Sequence, residues 1–244
     1  MERAEWLKHM QTMTEAIYDH LSPQYWVSFG LYENETHLEF LQKFLDRLPP
    51  HSTLLSAACG AGRYDGILLE AGHHVMGIDQ SAGMLERASG HFPQAHYEKM
   101  ALQEMSFHDR FEGAICLDAM AHICPEDWPG ILQGFQKALK PGGLLYLTVE
   151  VPDPEEVKAS YERSRAMGLP VLYGEIADDV EASHQRVMTF RSSDVSPEIA
   201  DLAVYHYHPA RDQVRTWLEE AGLVLVDQGM GQWYEHLIVS RKKT

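Results

Sequence analysis

Residues 54–63, Leu-Leu-Ser-Ala-Ala-Cys-Gly-Ala-Gly-Arg, run from an apolar stretch straight into a turn of small residues. Gly60 and Gly62 permit a sharp strand-to-helix turn whose backbone amides stay open to a ligand. The next apolar run, His74-Val75-Met76-Gly77-Ile78-Asp79, closes on a carboxylate. An acid at the tip of the second strand, about 20 residues beyond the turn, suits the paired hydroxyls of a ribose. Turn and acid together imply a βαβ unit and describe a site for an adenosine-containing cofactor.

The residues after the turn narrow the choice. A dinucleotide fingerprint needs Gly or Ala three residues after the second glycine, where the helix passes close beneath a pyrophosphate. Here Gly62 is followed by Arg63, Tyr64 and Asp65, and a carboxylate fits poorly beside two phosphates. No Gly-Lys-Ser/Thr follows, so the phosphate-binding P-loop is absent too.

Further along come Gln80-Ser81-Ala82-Gly83-Met84-Leu85, Phe111-Glu112, Ile115-Cys116-Leu117-Asp118, and Leu139-Lys140-Pro141-Gly142-Gly143 before another apolar run, Leu144–Val149. With the first loop and Asp79, this series resembles the class I S-adenosylmethionine-dependent methyltransferases, and more narrowly their small-molecule branch. The resemblance is detailed over residues 50–150 and holds in outline from about 205 onward. Four departures stand out. Ser56 occupies the place of an acid that helps hold the cofactor's ammonium, and Ala58 replaces the first loop glycine. Met100 stands where an aspartate often binds the adenine amino group, and Glu112 replaces an aspartate.

The resemblance implies an α/β fold, a doubly wound, mostly parallel seven-stranded sheet with N-terminal helices and an inserted cap. It also implies S-adenosyl-L-methionine as cofactor, with residues 58–60 (Ala58, Cys59, Gly60) at the methionine part and Asp79 and Gln80 at the ribose. Met84, Met100, Ala101 and Leu102 would surround the adenine, and Leu117 and Asp118 would lie near the sulfonium. Tyr18 would cover the cofactor from an N-terminal lid, and Tyr25 and Trp26 would face the acceptor. Asp79 also has a plain reading as a turn residue or helix cap, and at Asp118 the family often uses only backbone.

Apolar periodicity fills in the organisation. Trp6, Leu7, Met10, Met13 and Ile17, and then Leu38, Leu41, Phe44, Leu45 and Leu48, predict two helices in residues 1–50, joined by an aromatic linker and stopped by Pro49-Pro50. Residues 51–151 alternate strands and helices, with a helix beginning near Pro125–Trp128. Residues 152–209 break that rhythm and are expected to form a cap with strands at Val187–Arg191 and Leu202–His208. Residues 210–244 read as a helix ending at Gly222 and a terminal hairpin with an antiparallel last strand.

Composition excludes several classes of function. The 244 residues carry 20 basic and 36 acidic side chains, a formal net charge of −16. Such a surface disfavours nucleic acid and anionic membranes. No apolar run approaches the roughly 18 residues of a membrane span, and the start of the chain lacks a signal-peptide pattern, so a cytoplasmic protein is expected. Cys59, Cys116 and Cys124 are scattered, without metal or disulfide spacing. No resident metal is expected, and the chain fits a monomer or a homodimer.

The chemistry expected is displacement at an activated methyl carbon, in which the protein holds the acceptor in line and excludes water. A hydroxyl acceptor needs a base titrating near neutrality, most simply histidine. His122 follows the fourth strand and is the candidate base or orienter; its rival role is structural, at the start of the next helix. His206 and His208 share one strand face by their two-residue spacing, where they either line the acceptor pocket or meet solvent. Arg63 is a candidate partner for a carboxylate, and His73-His74 reads as an exposed loop. The function expected is methyl transfer to nitrogen or oxygen, less readily carbon, of a small molecule. The alternative is a non-catalytic S-adenosylmethionine- or S-adenosylhomocysteine-binding protein or partner subunit, with a nicotinamide oxidoreductase third.

Overall fold

The short apolar runs of the first 150 residues become parallel strands because both of their faces are covered by helices. In the computed structural model, which describes residues 3–30, 34–151, 187–190 and 204–243, β1 (Thr53–Ala57), β2 (His74–Asp79), β3 (His96–Lys99), β4 (Phe111–Cys116) and β5 (Leu139–Glu150) pair in parallel. A separate antiparallel pair is formed by β6 (Val187–Phe190) and β7 (Val204–Tyr207). The terminal hairpin, β8 (Leu223–Met230) and β9 (Tyr234–Arg241), completes the main sheet with β9 antiparallel to β5. The seven-stranded order is β3-β2-β1-β4-β5-β9-β8. Strand order reverses on either side of β1, and at such a point open α/β sheets leave a crevice beyond the strand carboxyl ends.

The helices are α1 (Arg3–Tyr25), α2 (Glu35–Leu45), α3 (Asp65–Glu70), α4 (Ala82–His91), α5 (Trp128–Ala138) and α6 (Arg211–Glu220). Asn34 starts α2 by accepting the Thr36 and His37 amides on its side chain, the ordinary work of an N-cap. The buried face of α2, at His37, Phe40, Leu41, Phe44 and Leu45, keeps the spacing of an amphipathic helix. Successive strand residues point to opposite faces. Leu54 therefore joins the core under α2 and α3, whereas Leu55 joins the one formed with Trp128, Phe135, Val214 and Leu218.

Several expectations are corrected. In the aromatic linker, α1 runs on to Tyr25 and into a π-helical turn at Trp26–Gly30. Helix α2 ends at Leu45, ahead of Pro49. The Lys140–Gly143 stretch lies inside β5, because Leu139 already pairs with Phe111 and a register shift before Gly113 absorbs the extra residues, with Gly142 at φ 80°. His73 is buried, not exposed, and its Nδ1 accepts the Ser52 amide at 3.1 Å. Both strands expected after residue 186 are present as β6 and β7; the remainder of the cap, residues 152–186 and 191–203, lies outside the described residues. No helix among the described residues is long and apolar enough to cross a membrane.

Candidate active site

The loop from β1 to α3 turns through three residues of left-handed backbone, Ala58 (φ 51°), Gly60 (φ 54°) and Gly62 (φ 83°). Asp79, at the end of β2, fixes this loop from the neighbouring strand. Its Oδ2 accepts the Gly60 amide at 2.8 Å, and its Oδ1 accepts the Ser81 amide at 2.9 Å. Burial raises the Asp79 pKa and those two amides pull it back down, as expected when hydrogen bonds favour the charged form. A Cβ placed on Gly60 would meet nothing within 4 Å, so the loop presents an open backbone face. The loop thus fits a ligand that must lie close to main chain beside a carboxylate.

That face opens on a cleft whose space, out to its mouth, is about 1110 Å³. The expected cofactor residues Tyr18, Ala58, Cys59, Gly60, Asp79, Gln80, Met84, Met100, Ala101, Leu102, Leu117 and Asp118 all line it, and so do Tyr25 and His122. Trp26 is not among the lining residues; its indole packs on the His91 ring, with centroids 3.9 Å apart. His208 is buried outside the lining, its Nδ1 3.6 Å from Glu150 Oε2. His206 pairs with Met188 through β7, and its side chain lies outside the described residues.

The other wall of the cleft is built around Asp118, a non-glycine residue at φ 56°. His37 Nε2 lies 2.7 Å from Asp118 Oδ1, while Arg63 Nη1 and the Tyr64 hydroxyl each donate to Oδ2 at 3.2 Å. The Asp118 amide donates to Thr148 Oγ1 at 2.8 Å. Burial alone would push the Asp118 carboxyl up, but His37, Arg63 and Tyr64 hold it below the usual carboxylate range. Arg63 also donates to the Tyr25 hydroxyl at 3.2 Å. The Tyr18 hydroxyl lies 2.7 Å from His122 Nε2. Burial pushes the Tyr18 pKa far up, so the phenol keeps its proton, and the imidazole tautomer sets which of the two groups donates. At the end of β5, burial and the charge of Asp118 push Glu150 up to about 7.

Sequence reading missed His37, Tyr64 and Glu150. Only His37 left a trace, because it stands four residues before Leu41 on the apolar face of α2, where a polar residue calls for a buried partner. Arg63 does pair with a carboxylate, and that carboxylate is Asp118. Helix α1 is tied across the cleft entrance by Asp19, whose Oδ1 accepts the Ser81 hydroxyl at 2.6 Å and the Gly83 amide at 2.9 Å. Strand β7 touches both α1 and the Met120–His122 turn. Among the described residues, no group of three or more His, Cys, Asp or Glu is arranged to hold a metal ion.

Comparison with known proteins agrees with this geometry. Residues 54–143 match the family model described as a methyltransferase domain. Phosphoethanolamine N-methyltransferase 1 of Zea mays is 31% identical over 161 residues, which are 62% of this chain and 31% of that enzyme. The chain therefore spans about a third of that relative's length. Among solved structures, an S-adenosylmethionine-dependent methyltransferase from Methanosarcina mazei superposes with a TM-score of 0.66 at 16% identity, covering 84% of this chain and 98% of that one. The 1,6-didemethyltoxoflavin-N1-methyltransferase of Burkholderia thailandensis, solved with bound 1,6-didemethyltoxoflavin and S-adenosylhomocysteine, superposes over 97% of this chain and 90% of its own, with a TM-score of 0.64 at 14% identity. These matches place a methyltransferase domain at residues 54–143, in a seven-stranded fold shared with solved S-adenosylmethionine-dependent methyltransferases.

Proposed function

We propose that this protein transfers a methyl group from S-adenosylmethionine to nitrogen or oxygen of a small molecule. One observation carries the reading: a single cleft is lined at once by the Ala58–Gly60 loop, by Asp79, and by the Tyr18–His122 pair with Asp118. The bound cofactor supplies a methyl carbon already activated by a positively charged sulfur. The open backbone at Gly60 would receive its amino-acid part, and Asp79 would bind the ribose hydroxyls with the lone pairs that its two amide bonds leave over. Met84 and Leu102, both buried, would sandwich the adenine.

The remaining work falls to the Asp118 wall. Asp118, kept charged by His37, Arg63 and Tyr64, draws a cationic or hydroxylic acceptor to the cleft. His122 orients the acceptor's attacking atom or removes its proton, while Tyr18 fixes the imidazole through its 2.7 Å contact. Holding the acceptor in line and excluding water then provides most of the acceleration. Helix α1, with the segment around β6 and β7, acts as the lid and cap that determine the acceptor. We read the acceptor as small, in the cytoplasm, and neither nucleic acid nor membrane, because the chain's net charge of −16 opposes both.

Calorimetry with S-adenosylmethionine, followed by mass spectrometry of methyl transfer to a panel of small amines and phenols, tests this reading. Binding with transfer supports it. Binding without transfer to any acceptor would favour a non-catalytic cofactor-binding protein, and tight binding of a nicotinamide dinucleotide alone would sink it.

A further inference from the structure

Asp65 is the first residue of α3 and is 1% exposed. The Tyr97 hydroxyl donates to its Oδ2 at 2.9 Å. The Ser56 side chain is the other polar group acting on the carboxyl, and Oδ1 has no well-directed protein donor. The groups that face it are Ser56 of β1, Tyr97 of β3 and Cys59 of the loop, with no Lys, Arg or His pairing with it among the described residues. A buried carboxylate without a counter-charge is costly and holds its proton more tightly than usual; burial pushes Asp65 up to about 6.

This charge lies directly beneath the ligand-facing loop. A Cβ on Gly62 would come within 3.2 Å of Asp65 Oδ2, and Ser56 both touches the carboxyl and lines the cleft. Such an arrangement calls for a cation delivered by the ligand. We propose that Asp65, acting through Ser56, is the counter-charge for the α-ammonium group of bound S-adenosylmethionine. The inference rests on the proposed function and deepens it. It accounts for Ser56 at the end of β1: the negative charge reaches the cleft from the start of α3, one layer behind the strand.

The test compares two ligands on the full chain by calorimetry, S-adenosylhomocysteine and 5′-methylthioadenosine, which share the adenosyl thioether but differ in the amino-acid part. Asp65→Asn removes the charge and keeps the shape. It is expected to weaken S-adenosylhomocysteine about ten- to a hundredfold, as for a pair of charges close together in a partly screened site, and to leave 5′-methylthioadenosine unchanged. At pH 6 the wild type should release a proton on binding S-adenosylhomocysteine, seen as a dependence of the measured heat on the buffer's ionisation enthalpy; Asp65→Asn should release none. A variant that weakens both ligands alike, or neither, overturns the role of Asp65. A wild type that binds neither ligand overturns the cofactor reading itself, and the role of Asp65 with it.

Discussion

Around the Gly60 loop the contacts are local and mostly backbone: the Gly60 amide reaches Asp79 across 19 residues of sequence, and the Ser81 amide reaches it across two. Around Asp118 they are remote and made by side chains: His37 and Asp118 are 81 residues apart, and Tyr18 and His122 are 104 apart. The first wall is held by groups that every residue owns, and its sequence need only supply small side chains and one acid. The second depends on individual side chains brought in from four parts of the chain. One wall suits a ligand that stays constant, the other a partner that can change without altering the fold.

The largest expected effect tests that division most severely. If the Asp118 wall carries the chemistry, His122→Ala lowers turnover about 100- to 10,000-fold, while cofactor affinity by calorimetry stays within a factor of a few. A comparable loss of cofactor affinity would merge the two walls into one unit.

Next in size is a stability effect, which sharpens the comparison by locating a cost inside the local wall. Native Asp65 titrates near 6, against 3.8 for the free group. The native state therefore binds its proton more tightly, and stability is lost as pH rises from the unfolded value through the folded one. Without ligand, Asp65→Asn should match the wild type in unfolding free energy near pH 3.5. Above pH 7 it should exceed it by up to about 3 kcal/mol. Equal urea midpoints at both pH values would show that the carboxyl is already compensated.

Asp79→Ala comes third. It should weaken S-adenosylhomocysteine by about 1.5–3 kcal/mol through the loss of a charged hydrogen-bond partner, with acceptor affinity little changed. A loss confined to the acceptor would reverse the assignment of the walls. The smallest effect belongs to Ala58, whose φ of 51° strains any residue with a Cβ. Ala58→Gly relieves about 1 kcal/mol of that strain and gives part of it back as unfolded-chain entropy. A thermal midpoint raised by a few degrees or less is expected; a lowered one would mean that the Ala58 methyl group packs usefully.

The same contrast explains how much could be read without coordinates. The positions of the core strands, the turn at Gly60 and Gly62, and Asp79 follow from short-range patterns, because parallel strands with both faces covered leave continuous apolar runs and the loop needs particular residue types. His37 shows in the sequence only as a polar residue on the apolar face of α2, and nothing local names its partner, Asp118, 81 residues away. Tyr64 sat beside the glycines without any spacing to mark it. Asp65 was legible only as an argument against pyrophosphate; that it lies behind Ser56 depends on how α3 packs against β1 and β3. The resemblance puts Trp26 at the acceptor, yet its ring packs on His91 instead.

Asp19 has a consequence for timing. Its carboxylate completes the start of α4 through Ser81 and Gly83, the same short stretch whose Ser81 amide steadies Asp79. Helix α1 cannot lift away without leaving a hydroxyl and an amide at that helix start short of an acceptor, and water must then enter to replace it. If α1 is the lid proposed above, traffic into and out of the cleft is coupled to the start of α4, and a contact that never touches the ligand would help set its residence time.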